Sequence, residues 1–146
     1  MRVAIPIIAM LFLLSGCIEG RHPVTPKLME SHGVRTYNLP MEKTMQACED
    51  ALASLGYGIA LRRPDLGLIE TLPRNGSLSA TSVGNQVRVN SESNGWRLEL
   101  VRTEGGTKVY AYPRYWSNGT EITTFFHSDL KDQWPVFFSY VDRFAR

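Results

Sequence analysis

The chain of 146 residues contains only two cysteines, Cys17 and Cys48. Its three histidines, His22, His32 and His127, lie far apart, and neither a Cys-x-x-Cys pair nor a His-Glu-x-x-His run occurs. Structural and catalytic zinc sites take closely spaced ligands of these types. A glycine-rich loop that opens a helix and cradles phosphate is absent as well. The sequence therefore predicts no metal and no cofactor.

One short pattern resembles an enzyme motif. Ser128-Asp129-Leu130-Lys131 matches the Ser-x-x-Lys element of penicillin-recognising enzymes. Those enzymes also carry Ser-Asp-Asn and Lys-Thr-Gly elements, and this chain offers only the reversed Gly106-Thr107-Lys108. A serine that caps the start of a helix explains the four residues better. We therefore expect a protein that is not an enzyme.

An excess of charge of one sign is also missing. Lysine and arginine number 16 against 14 aspartate and glutamate, and the arginines are scattered along the chain. A nucleic-acid binder usually concentrates its basic residues on one face. The composition therefore predicts no nucleic-acid partner.

Long apolar runs are limited to one, Val3 to Leu14, which is shorter than the roughly 20 apolar residues of a membrane-spanning helix. It follows Arg2, and this layout is typical of a cleaved export signal. The next residues complete Leu14-Ser15-Gly16-Cys17, which resembles the bacterial lipobox. The resemblance implies a lipoprotein signal peptide at residues 1–16 and lipidation at Cys17, which would anchor the chain to a membrane. An ordinary signal peptide that happens to contain a cysteine is the alternative.

Residues 17–33 are polar, contain Pro23 and Pro26 and show no helical or strand periodicity. Such a composition predicts a flexible tether between the lipid anchor and a folded domain. The residue after the anchor is Ile18, not the aspartate that many inner-membrane lipoproteins carry there. The resemblance therefore favours the outer membrane of a bacterial cell envelope, with the domain facing the periplasm.

Residues 34–146 are predicted to form a single α+β domain. The apolar spacing predicts strands at 34–39, 57–63, 68–72, 96–102 and 107–113, a helix from Met41 to Leu55 and a final helix from Ser128. Residues 73–95 are rich in serine, asparagine and glycine, which indicates a long mobile loop with at most one short edge strand at 86–89. Each helix has one apolar stripe, so we expect both to pack on one face of an antiparallel sheet.

The run Met41…Met45…Ala51-Leu52…Leu55-Gly56-Tyr57…Asp65…Gly67-Leu68-Ile69-Glu70-Thr71 resembles the opening of the helix-grip domains in BamC-like lipoproteins of the bacterial envelope. The resemblance implies a helix-grip-like fold and an accessory or structural role in outer-membrane assembly, with another envelope protein as the partner. The chain differs from BamC in having one such domain where BamC carries two.

The strand after residue 106 has two different sides, because side chains alternate along a strand. One side carries Tyr110, Tyr112, Arg114 and Trp116, and the other carries Val109, Ala111, Pro113 and Tyr115. If the smaller set packs under the helices, the aromatic and basic set forms an exposed strip suited to gripping a protein partner or stacking on a sugar. If the tyrosines fill the core, no such strip exists. The strip makes a periplasmic ligand- or glycan-binding lipoprotein the alternative function.

Overall fold

The computed structural model describes residues 25–122 and 130–146. Within these ranges the chain forms three helices and seven strands. In chain order they are α1 (Pro26–His32), β1 (Val34–Tyr37), α2 (Met41–Ser54), β2 (Ile59–Arg63), β3 (Leu68–Thr71), β4 (Arg74–Val83), β5 (Gln86–Thr103), β6 (Gly106–Ser117), β7 (Thr120–Glu121) and α3 (Leu130–Phe144). The predicted signal peptide, the lipidation at Cys17 and the serine of the Ser-x-x-Lys pattern lie outside the described residues.

The strands form one antiparallel sheet in the order β1-β6-β5-β3-β2, with β4 also paired to β5 and β7 to β6. β5 is the longest strand, at 18 residues. Its later part pairs with β6 from Glu92↔Ser117 to Thr103↔Gly106, and its earlier part pairs with β4. β5 therefore holds most of the sheet together.

α2 and α3 pack on one face of this sheet, as the sequence predicted. Met45, Cys48 and Leu52 of α2 recur every three or four residues and are fully buried. The core also contains Trp134, Phe137, Phe138 and Val141 of α3 and Trp96, Leu98, Leu100, Val109 and Ala111 of the sheet. The Trp96 and Phe137 rings stack with centroids 5.2 Å apart. The α+β class with two helices on one face is therefore confirmed. No helix in the described ranges has both the length and the apolar content to cross a membrane.

α1 corrects the prediction of a flexible tether that reaches residue 33. The Thr25 hydroxyl accepts a hydrogen bond from a backbone N–H of the first turn, and a proline occupies the first helical position. Both are helix-start signals. Met29 is only 8% exposed, and His32 stacks on Trp134 of α3 with centroids 6.1 Å apart. The folded part of the chain therefore includes α1, because that helix is capped and docked.

The predicted mobile loop at residues 73–95 is also wrong, because this segment forms a β-hairpin, and the short edge strand allowed at 86–89 is the start of β5. β4 pairs with β5 from Arg74↔Asn94 to Val83↔Gln86, and Gly84 makes the turn with φ of +62°. A glycine at this position of a two-residue hairpin loop is favourable because it adopts positive φ without strain. Beyond Glu92↔Ser117, β6 no longer pairs with β5. Residues 78–91 thus extend past the rest of the sheet, and we call them the ribbon.

Candidate functional site

The packing of α3 determines which side of β6 faces the core. Val109 and Ala111 are fully buried and belong to the core under the helices. Because α3 fills that layer with large rings such as Trp134 and Phe137, β6 can present only small side chains to it. Tyr110 and Tyr112 therefore lie on the opposite face of the sheet. We call this the outer face.

A groove of about 600 Å³ lies between α1 and the outer face. Its apolar lining includes Pro26, Met29, Val34, Tyr110, Tyr112 and Ile122. The two tyrosine rings are half-buried and nearly parallel, with centroids 6.5 Å apart and planes 10° apart. Burial raises the pKa of the Tyr112 phenol above its ordinary value. We call this feature the tyrosine groove.

The two arginines of the groove are paired with neighbouring carboxylates. Arg114 makes two hydrogen bonds of 2.6 Å to the Glu121 carboxylate and a longer one of 3.4 Å to Glu70. Arg97 contacts Glu99 at 3.0 Å and Glu70 at 3.2 Å. The hydrogen bonds from Arg114 hold the pKa of Glu121 below its ordinary value. The charges of both arginines are therefore neutralised. The sequence predicted that Arg114 would be the basic group of an exposed strip, but its guanidinium is not free to bind a ligand.

Trp116 departs further from the predicted exposed strip. Its side chain is only 9% exposed, and the Arg114 guanidinium lies over its ring, 4.9 Å from the centroid. A Cβ atom at Gly95 would come within 2.9 Å of the same ring, so the indole occupies the space that the glycine leaves. The prediction of an exposed Trp116 is therefore wrong. Tyr110 and Tyr112 remain as the accessible aromatic pair.

Sequence reasoning missed the residues that α1 and β7 bring to the groove. Met29 and Glu30 reach it because residues 26–32 are helical, and Glu121 reaches it because β7 pairs with the end of β6. The signal for α1 was the capping threonine followed directly by a proline. The short β7 had no comparable signal, since it is only two residues long.

The remaining chemistry-bearing residues form no reactive cluster in residues 25–122 and 130–146. No group of three or more histidine, cysteine, aspartate or glutamate side chains there is placed to hold a metal ion. Cys48 is fully buried, and burial raises the pKa of its thiol. A thiol with a raised pKa carries little thiolate and reacts slowly. Cys48 is therefore a small core residue.

Comparisons with known proteins add no family to this description. No protein-family model matches the chain, and no curated protein matches it significantly.

Proposed function

We propose that this protein is a non-enzymatic, lipid-anchored component of the bacterial envelope that binds another envelope protein through the tyrosine groove. The observation that carries the proposal is the groove itself, which combines two accessible tyrosines with an apolar wall from α1. Tyrosine provides a rigid, amphipathic contact surface at low entropic cost, and it is enriched at protein interfaces for that reason. An accessory or structural role in outer-membrane assembly fits such a module.

The charges around the groove favour a partner with basic residues. Three carboxylates, those of Glu70, Glu99 and Glu121, pair with the two guanidinium groups of Arg97 and Arg114. A fourth, that of Glu30, also lines the groove. Lys108, whose ammonium lies 5.2 Å from the Tyr110 ring centroid, still leaves the carboxylates in excess. Tyrosine faces also attract cations. The groove therefore suits a polypeptide segment that carries apolar side chains together with lysine or arginine.

The address in the proposal depends on the lipobox-like end of the leader. A diacylglyceryl group on Cys17 would hold the chain at a membrane, and Ile18 in the next position favours the outer membrane facing the periplasm. Only eight residues, Ile18 to Thr25, separate that anchor from α1. A segment of this length spans at most about 28 Å when fully extended. The groove would therefore lie close to the membrane, where membrane-embedded partners are accessible.

Site-specific photo-cross-linking in cells tests the proposal. A benzophenone amino acid replaces Tyr112 in the full-length protein. A matched control carries the same amino acid in place of Val101, which is 50% exposed on the outer face but lies outside the groove, at the far end of β5. We expect one reproducible protein adduct from position 112 and none from position 101. The adduct should disappear when Tyr110→Ala is combined with the probe. Equal adducts from both positions, or none from position 112, would refute a partner in the groove.

The near-parallel tyrosine rings support a second candidate, binding of a glycan. Sugar rings stack on aromatic faces, and Tyr110 and Tyr112 offer two such faces side by side. If muropeptides raise the melting temperature of the purified full-length protein, and Tyr112→Ala abolishes that effect, glycan binding is favoured. Absence of stabilisation together with a protein adduct at position 112 would favour the first.

A further inference from the structure

The ribbon carries an apolar face that no described part of the chain covers. Leu78, Val87 and Val89 are 77%, 68% and 60% exposed. The register pairs Leu78 with Ser91, Ala80 with Val89 and Ser82 with Val87. Residues paired directly across two strands share a face, so the three large apolar side chains lie on the same side of the ribbon.

Two properties of the ribbon make this exposure unusual. A two-stranded hairpin alone is marginally stable in water, so an apolar face on it gains by being covered. Residues 75–91 also contain no aspartate or glutamate, and their one charged residue is Arg88, on the opposite face of the ribbon. No charged side chain of residues 75–91 therefore has to leave water when the apolar face enters the boundary between the headgroups and the acyl chains of a bilayer.

The ribbon also projects from the end of the domain at which the tether begins. Pro26, the first residue of α1, lines the tyrosine groove together with Glu121 and Ile122. Glu121 of β7 pairs with Trp116 near the end of β6. Just after β6 ends, the Asn118 N–H donates a hydrogen bond to the Ser91 carbonyl at the base of the ribbon. The chain that leads to the anchor and the ribbon therefore leave the domain at the same end.

We propose that the ribbon lies against the surface of the phospholipid bilayer, with Leu78, Val87 and Val89 in the boundary between headgroups and acyl chains. The inference rests on the lipid anchor of the proposed function. The six paired residues of each ribbon strand span about 20 Å, and the tether spans at most about 28 Å, so the ribbon reaches a membrane to which Cys17 is attached. Arg97 and Glu99 of the tyrosine groove and Val89 of the ribbon are odd-numbered residues of β5, and such residues lie on one face of the strand. The tyrosine groove therefore opens on the same side of the sheet as the apolar face of the ribbon.

Fluorescence quenching in vesicles tests the proposal with the full-length, lipidated protein. Single cysteines at Val87→Cys and Val89→Cys report on the apolar face, and Arg88→Cys and Val101→Cys are matched controls on the opposite face and at the far end of the sheet. Each carries an environment-sensitive label, which Cys48 does not take up because it is buried. The vesicles contain phosphatidylethanolamine and phosphatidylglycerol, with and without nitroxide-labelled lipid.

We expect nitroxide lipid to quench the labels at positions 87 and 89 several-fold more than those at 88 and 101. Equal quenching at all four positions would overturn the proposal. A blue shift at 87 and 89 without quenching would also overturn it, because it would mean that another protein or a second copy covers the ribbon. Flotation of the vesicles is measured on the same samples. Protein that floats but is not quenched refutes the ribbon contact alone, whereas protein that does not float refutes the anchor and this inference with it.

Discussion

Trp134 connects three elements, and replacing it tests how α1 is held against the domain. The indole N–H donates a hydrogen bond of 2.8 Å to the carbonyl of Ala111 in β6, while the ring stacks on His32 at the end of α1. The Ala111 N–H bonds to the Gly33 carbonyl, just before β1 begins at Val34. Since the N–H and C=O of one strand residue point to the same side, the Ala111 carbonyl lies just beyond β1, and the indole supplies its hydrogen bond.

We expect Trp134→Phe to lower the free energy of unfolding by about 1–3 kcal/mol, because it leaves a buried carbonyl without a donor. Trp134→Ala should cost about 3–5 kcal/mol, because it also opens a cavity in the core. For a domain of this size, the phenylalanine variant should lose roughly 4–12 °C in melting temperature. Urea unfolding and thermal unfolding followed by circular dichroism measure both quantities.

A matched control separates the hydrogen bond from the packing. Phe138→Leu, in the same helix and also buried, removes apolar volume and no donor. Limited trypsin digestion at Lys27, in α1, reports on the docking of that helix and should accelerate in Trp134→Ala more than in Phe138→Leu. If the free energy of unfolding of Trp134→Phe lies within about 0.5 kcal/mol of that of the unsubstituted protein, the indole N–H does not satisfy a buried carbonyl and the reasoning fails.

Three further expectations concern single residues. Gly67→Ala should destabilise the domain more than Gly84→Ala: both positions have positive φ, which costs about 1–2 kcal/mol for a side chain, but only at Gly67 would the new Cβ lie 2.2 Å from a carbonyl oxygen of β5. Equal losses in urea unfolding would contradict that clash. Cys48, whose pKa burial raises, should resist alkylation at about pH 8 until urea unfolds the chain; rapid labelling of the folded protein would contradict its burial. Arg114 lowers the pKa of Glu121, so their pair stabilises the fold above the ordinary carboxyl pKa and loses that effect as the pH falls through the lowered one. Glu121→Gln should therefore reduce the drop in stability between about pH 7 and about pH 3, and an unchanged drop would show that the pair contributes little.

The sequence predicted the helices and hairpins whose apolar spacing is regular. Met45, Cys48 and Leu52 follow one helical stripe, and α2 forms where that stripe lies. In the ribbon, the sequence indicated only the short edge strand at 86–89. β4 was missed because its alternating residues are small or hydroxylated, so Leu78 stood out too little from the serines around it. Pairing with β5 supplies the hydrogen bonds that make this weak pattern a strand, and that pairing is not visible in a local window.

The candidate site was predicted only in part, for a reason that lies outside its own strand. Alternation on β6 shows that Tyr110 and Tyr112 share a side, but which side is buried depends on what α3 places in the core. Trp96 of β5 and Phe137 of α3 fill that space. Both lie on other elements, Trp96 at least 14 positions before the tyrosines and Phe137 at least 25 positions after them. The burial of Trp116 likewise depends on the missing side chain at Gly95 in the neighbouring strand.

The position of α1 also determines how the domain would respond to mechanical load. Any tension on the chain upstream of Thr25 reaches α1 before it reaches the sheet. That helix is held by a ring stack on Trp134, by the buried Met29 and by the hydrogen bond that follows it at Gly33. These contacts would bear the tension before it reaches the four residue pairs of β1 and β6. The helix that forms one wall of the tyrosine groove is therefore also the first part of the domain on which a pulling force would act.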